Sequence, residues 1–599
     1  MNQIRRLPIF MIAVLLLAGS CPNLFRSSRA DSQLPPEDFG LSGLQQELRK
    51  LQTTGRLMHT DAHPDDEDGG MLALESHGLG AEVMLFTLNR GEGGQNKTGK
   101  ELFDSLGILR TLELLKADEY YGVHERFSRV VDFGFSKTAD ETFEKWHGHD
   151  IPLEDMVRVI RTFRPDVLVA RFQGAPRDGH GHHQASGILT REAFKVAGDP
   201  KMFPNQIAEG LVPWQPKKLY MDNVRPNEDY TLKLDTGAYD PALGMSYIQF
   251  ALEGLSHQLS QGSGGVRVPP GHRYSYYKLL ESTVPTPGAS GGHETSFFDG
   301  IDTSLAALNA RLGSEAIKLP HLAPDLETMA QLVAQAGAAF TPDNPARSAT
   351  PLLAGFKLSR ELIDEVKSSD ISAAAKAGLL VDLEAKRDQF ERAANLALGI
   401  AMDVTVDVPP RTRDESQPVE FPGPQSTFAM AVPGQTFSIT AHFYNRSPRP
   451  VTLTDIYLDV PKGWKLASSK TDLKEVGQND EASEQFQVTV PPDAPYTRPY
   501  WHRDDPQTDT IYKIDDPRYV TLPFPPFPVH ALASYTLAGM LGEISSVAQV
   551  KYIDPLYGQG ERPLVVGPAL SVEVEPPDYV VPAGRGQPYT LSVGVRSNA

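Results

Sequence analysis

Arg56-Leu57-Met58-His59-Thr60-Asp61-Ala62 runs directly into His63-Pro64-Asp65-Asp66-Glu67. The first stretch is largely apolar and predicts a buried strand; the second places an imidazole and adjacent carboxylates where that strand leaves the sheet, the position at which open α/β sheets carry their chemistry. Burying such a group is costly without a cation, and neutral imidazole and carboxylate are ligands that zinc or iron(II) accepts. A solvated acidic turn begun at Pro64 is the competing reading. A second cluster weighs against it. Asp178-Gly179-His180-Gly181-His182-His183 follows another strand-like run, Asp166 to Phe172, and opens a helix through Gln184-Ala185-Ser186-Gly187-Ile188-Leu189. Both clusters then lie on one edge of the presumed sheet. His63, Asp66 and His183 would supply two imidazoles and a carboxylate and leave room for water. An exposed His-rich turn is the bland alternative for the second cluster.

These residues resemble a family, the PIG-L or LmbE-like zinc-dependent de-N-acetylases. The resemblance rests on the His63-Pro64-Asp65-Asp66-Glu67 box, on His180-Gly181-His182-His183 before a helix, on Thr87-Leu88-Asn89-Arg90-Gly91-Glu92-Gly93-Gly94 after Val83-Met84-Leu85-Phe86, and on Leu106 to Glu113. It covers residues 54 to 225, including Pro213 to Tyr220. It implies a metal, Zn2+ with Fe2+ as the alternative, on His63, Asp66 and His183. It makes Asp65 the general base for metal-activated water, and His180 a group that stabilises the oxyanion or donates a proton. One position departs from the family pattern: His182 stands where an acid usually precedes the second histidine, so any acidic partner must come from elsewhere, with Asp178 and Asp61 as candidates. Arg90 in its Gly-rich loop is read as binding substrate, through a sugar hydroxyl or a phosphate. Arg110 and Glu113 are read as structural, at ion-pair spacing. Glu67 either orients His63 or favours a helix start.

Outside the motifs, the 599-residue chain is too long for one domain, and its 40% hydrophobic content predicts packed cores. A formal net charge of −19 argues against nucleic acid or anionic lipid as the main partner. Arg5-Arg6 before the apolar run Leu7 to Ala18, with Ser28-Arg29-Ala30 behind it, predicts a signal peptide over residues 1–30 and an exported protein, periplasmic, cell-surface or secreted. A rival is lipidation of Cys21, the single cysteine, within Leu17-Ala18-Gly19-Ser20-Cys21, which would be the one membrane attachment.

The fold expected for residues 40–300 is α/β: a Rossmann-like, mainly parallel sheet covered on both faces, with strands near 56–61, 82–88, 128–134, 167–172 and 218–222 and helices near 100–117, 153–164 and 184–196. Residues 301–400 read as a helical linker or bundle, and 401–560 as an immunoglobulin-like β-sandwich. Residues 561–599 read as closing strands or a partial second β module. Tyr496 to Asp505, rich in rings and charges, suits packing between domains better than sugar stacking.

The function expected is that of an exported metal-dependent amidohydrolase that removes acetyl from an N-acetylated amino sugar or glycoconjugate. The alternatives are an amidase on another sugar conjugate and a non-catalytic carbohydrate-binding surface protein, which the intact Asp65 disfavours. A metallophosphoesterase would need a second metal cluster.

Overall fold

A computed structural model describes residues 39–408, 428–468, 474–554, 558–575 and 590–598. The expected signal peptide over residues 1–30 and Cys21 fall outside the described residues. Among those described, no helix is long and apolar enough to cross a membrane.

Strand β1 (Arg56–Asp61) is buried at all six positions. It lies between β2 (Glu82–Thr87) and β4 (Val167–Ala170), parallel to both. With β3 (His124–Phe127), β5 (Lys218–Met221), β6 (Leu232–Asp235) and β9 (Tyr274–Ser282) they form one sheet in the order β3-β2-β1-β4-β5-β9-β6. The first five strands are parallel; β9 runs antiparallel to β5, and β6 to β9. A short pair, β7 (Tyr239–Asp240) and β8 (Met245–Ser246), lies outside this sheet.

Helices cover both faces, which is why the central strands read as continuous apolar runs. Leu57, Val83, Leu85 and Val169 share one core with Met71 of α2 (Gly69–Ala73), Leu114 of α3 (Asp104–Tyr121) and Phe250 of α8 (Tyr247–Leu255). Met58, Met84, Phe86 and Leu168 share the other with Met156 and Ile160 of α5 (Asp150–Phe163) and Leu189 of α6 (Gly181–Val196). Strand order reverses between β1 and β4, so their carboxyl ends flank a crevice where α/β sheets bind ligands. The two histidine-bearing motifs sit on the two loops that open there.

Helices α10 (Leu322–Ala339), α11 (Ala349–Ser368) and α12 (Ala373–Leu398) form the middle of the chain. Ser372 caps α12 by accepting from Ala375 N, and Asp382 docks the helix on the sheet by accepting Arg56 Nε at 3.0 Å and Arg311 Nη1 at 2.9 Å. The strand-rich remainder holds two sheets. One is six-stranded, with β10 (Ile400–Val406), β11 (Thr436–Asn445), β13 (Lys465–Ser468), β15 (Asp480–Thr489), β20 (Gln549–Asp554) and β21 (Gly558–Pro563). The other is four-stranded, with β12 (Val451–Asp459), β14 (Lys474–Val476), β18 (His530–Leu537) and β19 (Met540–Val547). Ile439, Phe443 and Phe486 from one meet Leu453, Ala533 and Tyr535 from the other in a single apolar interior, a β-sandwich. Among the described residues, strands β22 (Leu570–Glu575) and β23 (Ser592–Ser597) pair with each other and with no other strand.

Between β15 and β18 the chain leaves the sandwich and returns to the α/β domain as a strap that includes β16 (Trp501–His502) and β17 (Lys513–Ile514). Val131 N donates to Thr510 O at 3.0 Å, Tyr512 N to Arg129 O at 2.8 Å and Phe127 N to Thr521 O at 2.9 Å. Val130 bridges to Ile511, and Val131 is buried with Tyr500, Trp501 and Tyr512. This corrects the third strand. The run near 128–134 is apolar because the strap covers it, and the sheet strand itself is four residues earlier, at His124–Phe127.

Candidate metal centre

The box leaves β1 through Ala62 and turns sharply, with Asp65 at φ +98°. A side-chain-bearing residue there costs about 1–3 kcal/mol. Two contacts hold it: Asp65 N donates to Glu67 Oε2 at 2.9 Å, and Arg110 Nη2 donates to Asp65 Oδ1 at 2.9 Å. The turn brings Asp66 Oδ2 to 2.9 Å from His63 N and 3.0 Å from His63 Nδ1. From the other loop, α6 begins three residues earlier than its periodicity suggests, so His182 and His183 fall in its first turn and His180 is its N-cap. A Cβ at Gly181 would collide with Ser136 and Thr138, so glycine lets this helix start pack closely.

Hydrogen bonds to groups of known polarity settle two tautomers. His183 Nδ1 lies 3.1 Å from Asp178 O, which can only accept, so Nδ1 carries a proton and Nε2 is the ring atom turned to the site. That Nε2 faces Asp66 Oδ2 at 3.4 Å. His63 Nδ1 lies 3.0 Å from the same Oδ2, so two imidazole nitrogens and a carboxylate oxygen converge, the donor set a divalent cation takes when it displaces their protons. Phe172 stacks on His183 at 4.0 Å between ring centroids and fixes its plane. His180 Nδ1 accepts from His182 N at 3.0 Å, so His180 carries its proton on Nε2.

Two overlapping sets of three could hold an ion, His63 with Asp66 and His183, and His63 with His180 and His182. Only the first contains a carboxylate, and it coincides with the set expected from sequence. Electrostatics separate the adjacent aspartates. Burial would raise Asp66, but hydrogen bonding with His183 and His63 outweighs it and holds its carboxyl well below the ordinary range. Asp65 is pushed up to about 6 by burial, against the pull of Arg110. Burial, then His63 and His183, push His180 down to about 4, which leaves it a neutral Nε2–H donor at pH 7.

His182 is fully buried, with Nδ1 at 3.0 Å from His63 Nε2, its ring stacked on Trp146 and Phe133 edge-on at 4.5 Å. Burial holds it well below the ordinary histidine range, so it is neutral. The nearest acid is neither Asp178, whose carboxylate accepts from Gln173 N and Ala175 N, nor Asp61, but Asp132, with Oδ1 3.7 Å from His182 Nδ1. Asp132 was hidden in sequence by the misplaced third strand; the Gly134 that follows was the available signal for a loop. Glu67 does not orient His63: it accepts from Asp65 N, Tyr121 Oη and Gln258 Nε2.

Arg90 requires a correction. It is 2% exposed, with its guanidinium 3.6 Å from the Trp501 ring centroid. It donates to Thr111 Oγ1, Pro523 O and Leu522 O. Its charge is spent on the strap and does not face a substrate. Arg110, read as structural, joins α3 to the site by donating to Pro64 O and Asp65 Oδ1, while Glu113 accepts from Ser260 N and Oγ in place of the ion pair that the spacing allows. Phe135 was missed. It is 74% exposed, with its ring 5.2 Å from that of His180.

Residues 58–194 match the family model PIG-L, described as GlcNAc-PI de-N-acetylase. Residues 431–500 match NPCBM_assoc, described as the NPCBM-associated, NEW3 domain of alpha-galactosidase. No curated protein sequence matches the chain. Among solved structures, the chain is similar to the N,N'-diacetylchitobiose deacetylase from Pyrococcus horikoshii, at 15% identity over 38% of this chain and 83% of that one, TM-score 0.29. It is also similar to GalB, the 4-carboxy-2-hydroxymuconate hydratase from Pseudomonas putida, at 17% identity over 39% of this chain and 98% of that one, TM-score 0.26.

Proposed function

We propose that this chain, which carries a PIG-L domain over residues 58–194, is an exported metal-dependent de-N-acetylase acting on an N-acetylated amino sugar or glycoconjugate. The observation that carries the reading is the convergence of His183 Nε2, Asp66 Oδ2 and His63 Nδ1, with a second, proton-active carboxylate on the adjacent Asp65.

Zinc(II), or iron(II) in its place, held by His63, Asp66 and His183, would supply a Lewis acid for the acetamide carbonyl and acidify water at the site. Asp65 is ionised at neutral pH, yet basic enough to take a proton from water, and Arg110 holds it in place for that transfer. His180, with its proton on Nε2, donates to the oxygen on which charge develops. Asp65 then returns the proton to the departing amine. Phe135 offers an exposed ring beside His180, a surface for the apolar face of a sugar. The NEW3 match supports a carbohydrate setting, and the two-sheet sandwich, antiparallel apart from the β10–β20 pair, suits an immunoglobulin-like module. Export is supported by Leu7 to Ala18 and Ser28-Arg29-Ala30.

The test is acetate release from a panel of N-acetylglucosaminides by the zinc-loaded protein, with Asp65→Asn alongside. Release by the unaltered protein and its collapse in Asp65→Asn are expected. No release above the Asp65→Asn background on any panel member would remove the deacetylase reading.

A further inference from the structure

The strap does more than join two domains. Tyr512 Oη donates to Glu92 Oε1 at 2.6 Å, and both side chains are buried. The other oxygen, Glu92 Oε2, accepts Arg90 N at 3.2 Å and Asp132 N at 3.0 Å. Asp132 begins a loop that walls the histidine cluster. Its Oδ1 accepts Gly134 N at 2.7 Å and lies near His182, Phe133 packs on His182, Phe135 meets His180, and Ser136 O accepts Gly181 N at 2.9 Å. His182 in turn faces His63 Nε2 at 3.0 Å. A continuous path of buried hydrogen bonds and ring contacts therefore runs from a residue of the C-terminal half to a proposed metal ligand.

We propose that Tyr512 is a positioning residue for the metal centre, supplied by the C-terminal region, and that it acts through Glu92 and the 132–136 loop on His182 and His63. This rests on the reading of His63, Asp66 and His183 as metal ligands. Removing the Tyr512 hydroxyl leaves a buried carboxylate oxygen without its closest donor, and Glu92 must shift to recover one. The backbone of Asp132 moves with it, and the orientation of His63 loosens. Supporting partners of metal ligands typically change metal affinity by about 10- to 100-fold. An effect one contact further out belongs at the lower end.

Thr510 separates this role from simple tethering. Its Oγ1 ties the same strap to the α/β domain by donating to Lys145 O at 2.5 Å, and its side chain has no bond to Tyr512, Glu92 or Asp132 among the described contacts. The experiment measures the zinc dissociation constant of the full chain by chelator competition for the unaltered protein, Tyr512→Phe, Glu92→Gln and Thr510→Val, with thermal unfolding in parallel. Tyr512→Phe and Glu92→Gln are expected to weaken zinc binding about tenfold, while Thr510→Val binds zinc like the unaltered protein even where it lowers the melting temperature. Unchanged affinity in Tyr512→Phe, or equal weakening in Tyr512→Phe and Thr510→Val, would overturn the proposal. If Tyr512→Phe does not fold, Glu92→Gln decides by the same criterion. Failure of the unaltered protein to bind zinc would instead overturn the metal-centre reading beneath it.

Discussion

Strands β1 and β18 lie in the interiors of their sheets and bury their residues in opposite ways. Along β18 burial alternates, with Ala531, Ala533, Tyr535 and Leu537 inward, because a sandwich strand has one dry face. Along β1 nothing alternates: Leu57 and Met58 enter different cores, and His59, Thr60 and Asp61 are as buried as they are. The sandwich is a packing solution in which polar groups face water. The α/β sheet carries buried polar side chains to the end of β1, where Asp66 meets the imidazoles of His63 and His183. Chemistry belongs to the second kind of surface, and the strap is where the first reaches it.

The largest effects that would break this contrast lie at the box. Asp65→Asn is expected to lower kcat by about 10²- to 10⁴-fold while zinc binding is retained; loss of zinc together with activity would make Asp65 a ligand and not the base. In the sandwich, Phe486→Ala, which empties a position only 2% exposed, is expected to cost about 3–5 kcal/mol of stability. Zinc affinity of the folded fraction should stay the same, as calorimetry and chelator competition would report. A change in that affinity would mean that the two halves are not separable.

A smaller effect concerns pH. Glu75, buried in the α/β domain, has no hydrogen-bond partner for either carboxylate oxygen among the described residues, and burial pushes it up to about 8 from an ordinary 4.5. Its folded value lies above its unfolded one, so its contribution to stability is complete below about 4.5 and declines as pH rises toward 8, by about 1.4 kcal/mol per pH unit. Denaturant unfolding of Glu75→Gln from pH 5 to pH 8 should lack that decline, and an unchanged slope would show that Glu75 ionises in place at no cost. The smallest effect is at the rim. Phe135→Ala should raise KM for a glycoside by several-fold, about 1 kcal/mol, with kcat and melting temperature little changed, since 74% of Phe135 is already in solvent. A fall in kcat alone would move Phe135 from substrate contact to support of His180.

The strands either side of the switch point were legible because their apolar runs are continuous and end in polar motifs, and so was the meeting of His63, Asp66, His180 and His183 beyond their ends. Where a residue's partner comes from far along the chain, local pattern misleads. Arg90 in a glycine-rich loop has the composition of a ligand site, yet Trp501, some 400 residues later, covers its guanidinium. Val130 and Val131 have strand composition, but their partners are Thr510 and Ile511 of the strap and not a sheet neighbour. Asp132 was lost with them. The antiparallel edge, β9 and β6, was invisible for a related reason: strand direction depends on the connection and not on the strand's own residues.

On the proposed function, His63, Asp66 and His183, and not the overlapping trio His63, His180 and His182, hold the metal. Anomalous diffraction at the zinc edge from zinc-loaded crystals tests it most directly. One peak is expected, at about 2.0–2.2 Å from His63 Nδ1, Asp66 Oδ2 and His183 Nε2. A peak bound by His180 and His182, with Asp66 and His183 left out of coordination, would contradict it.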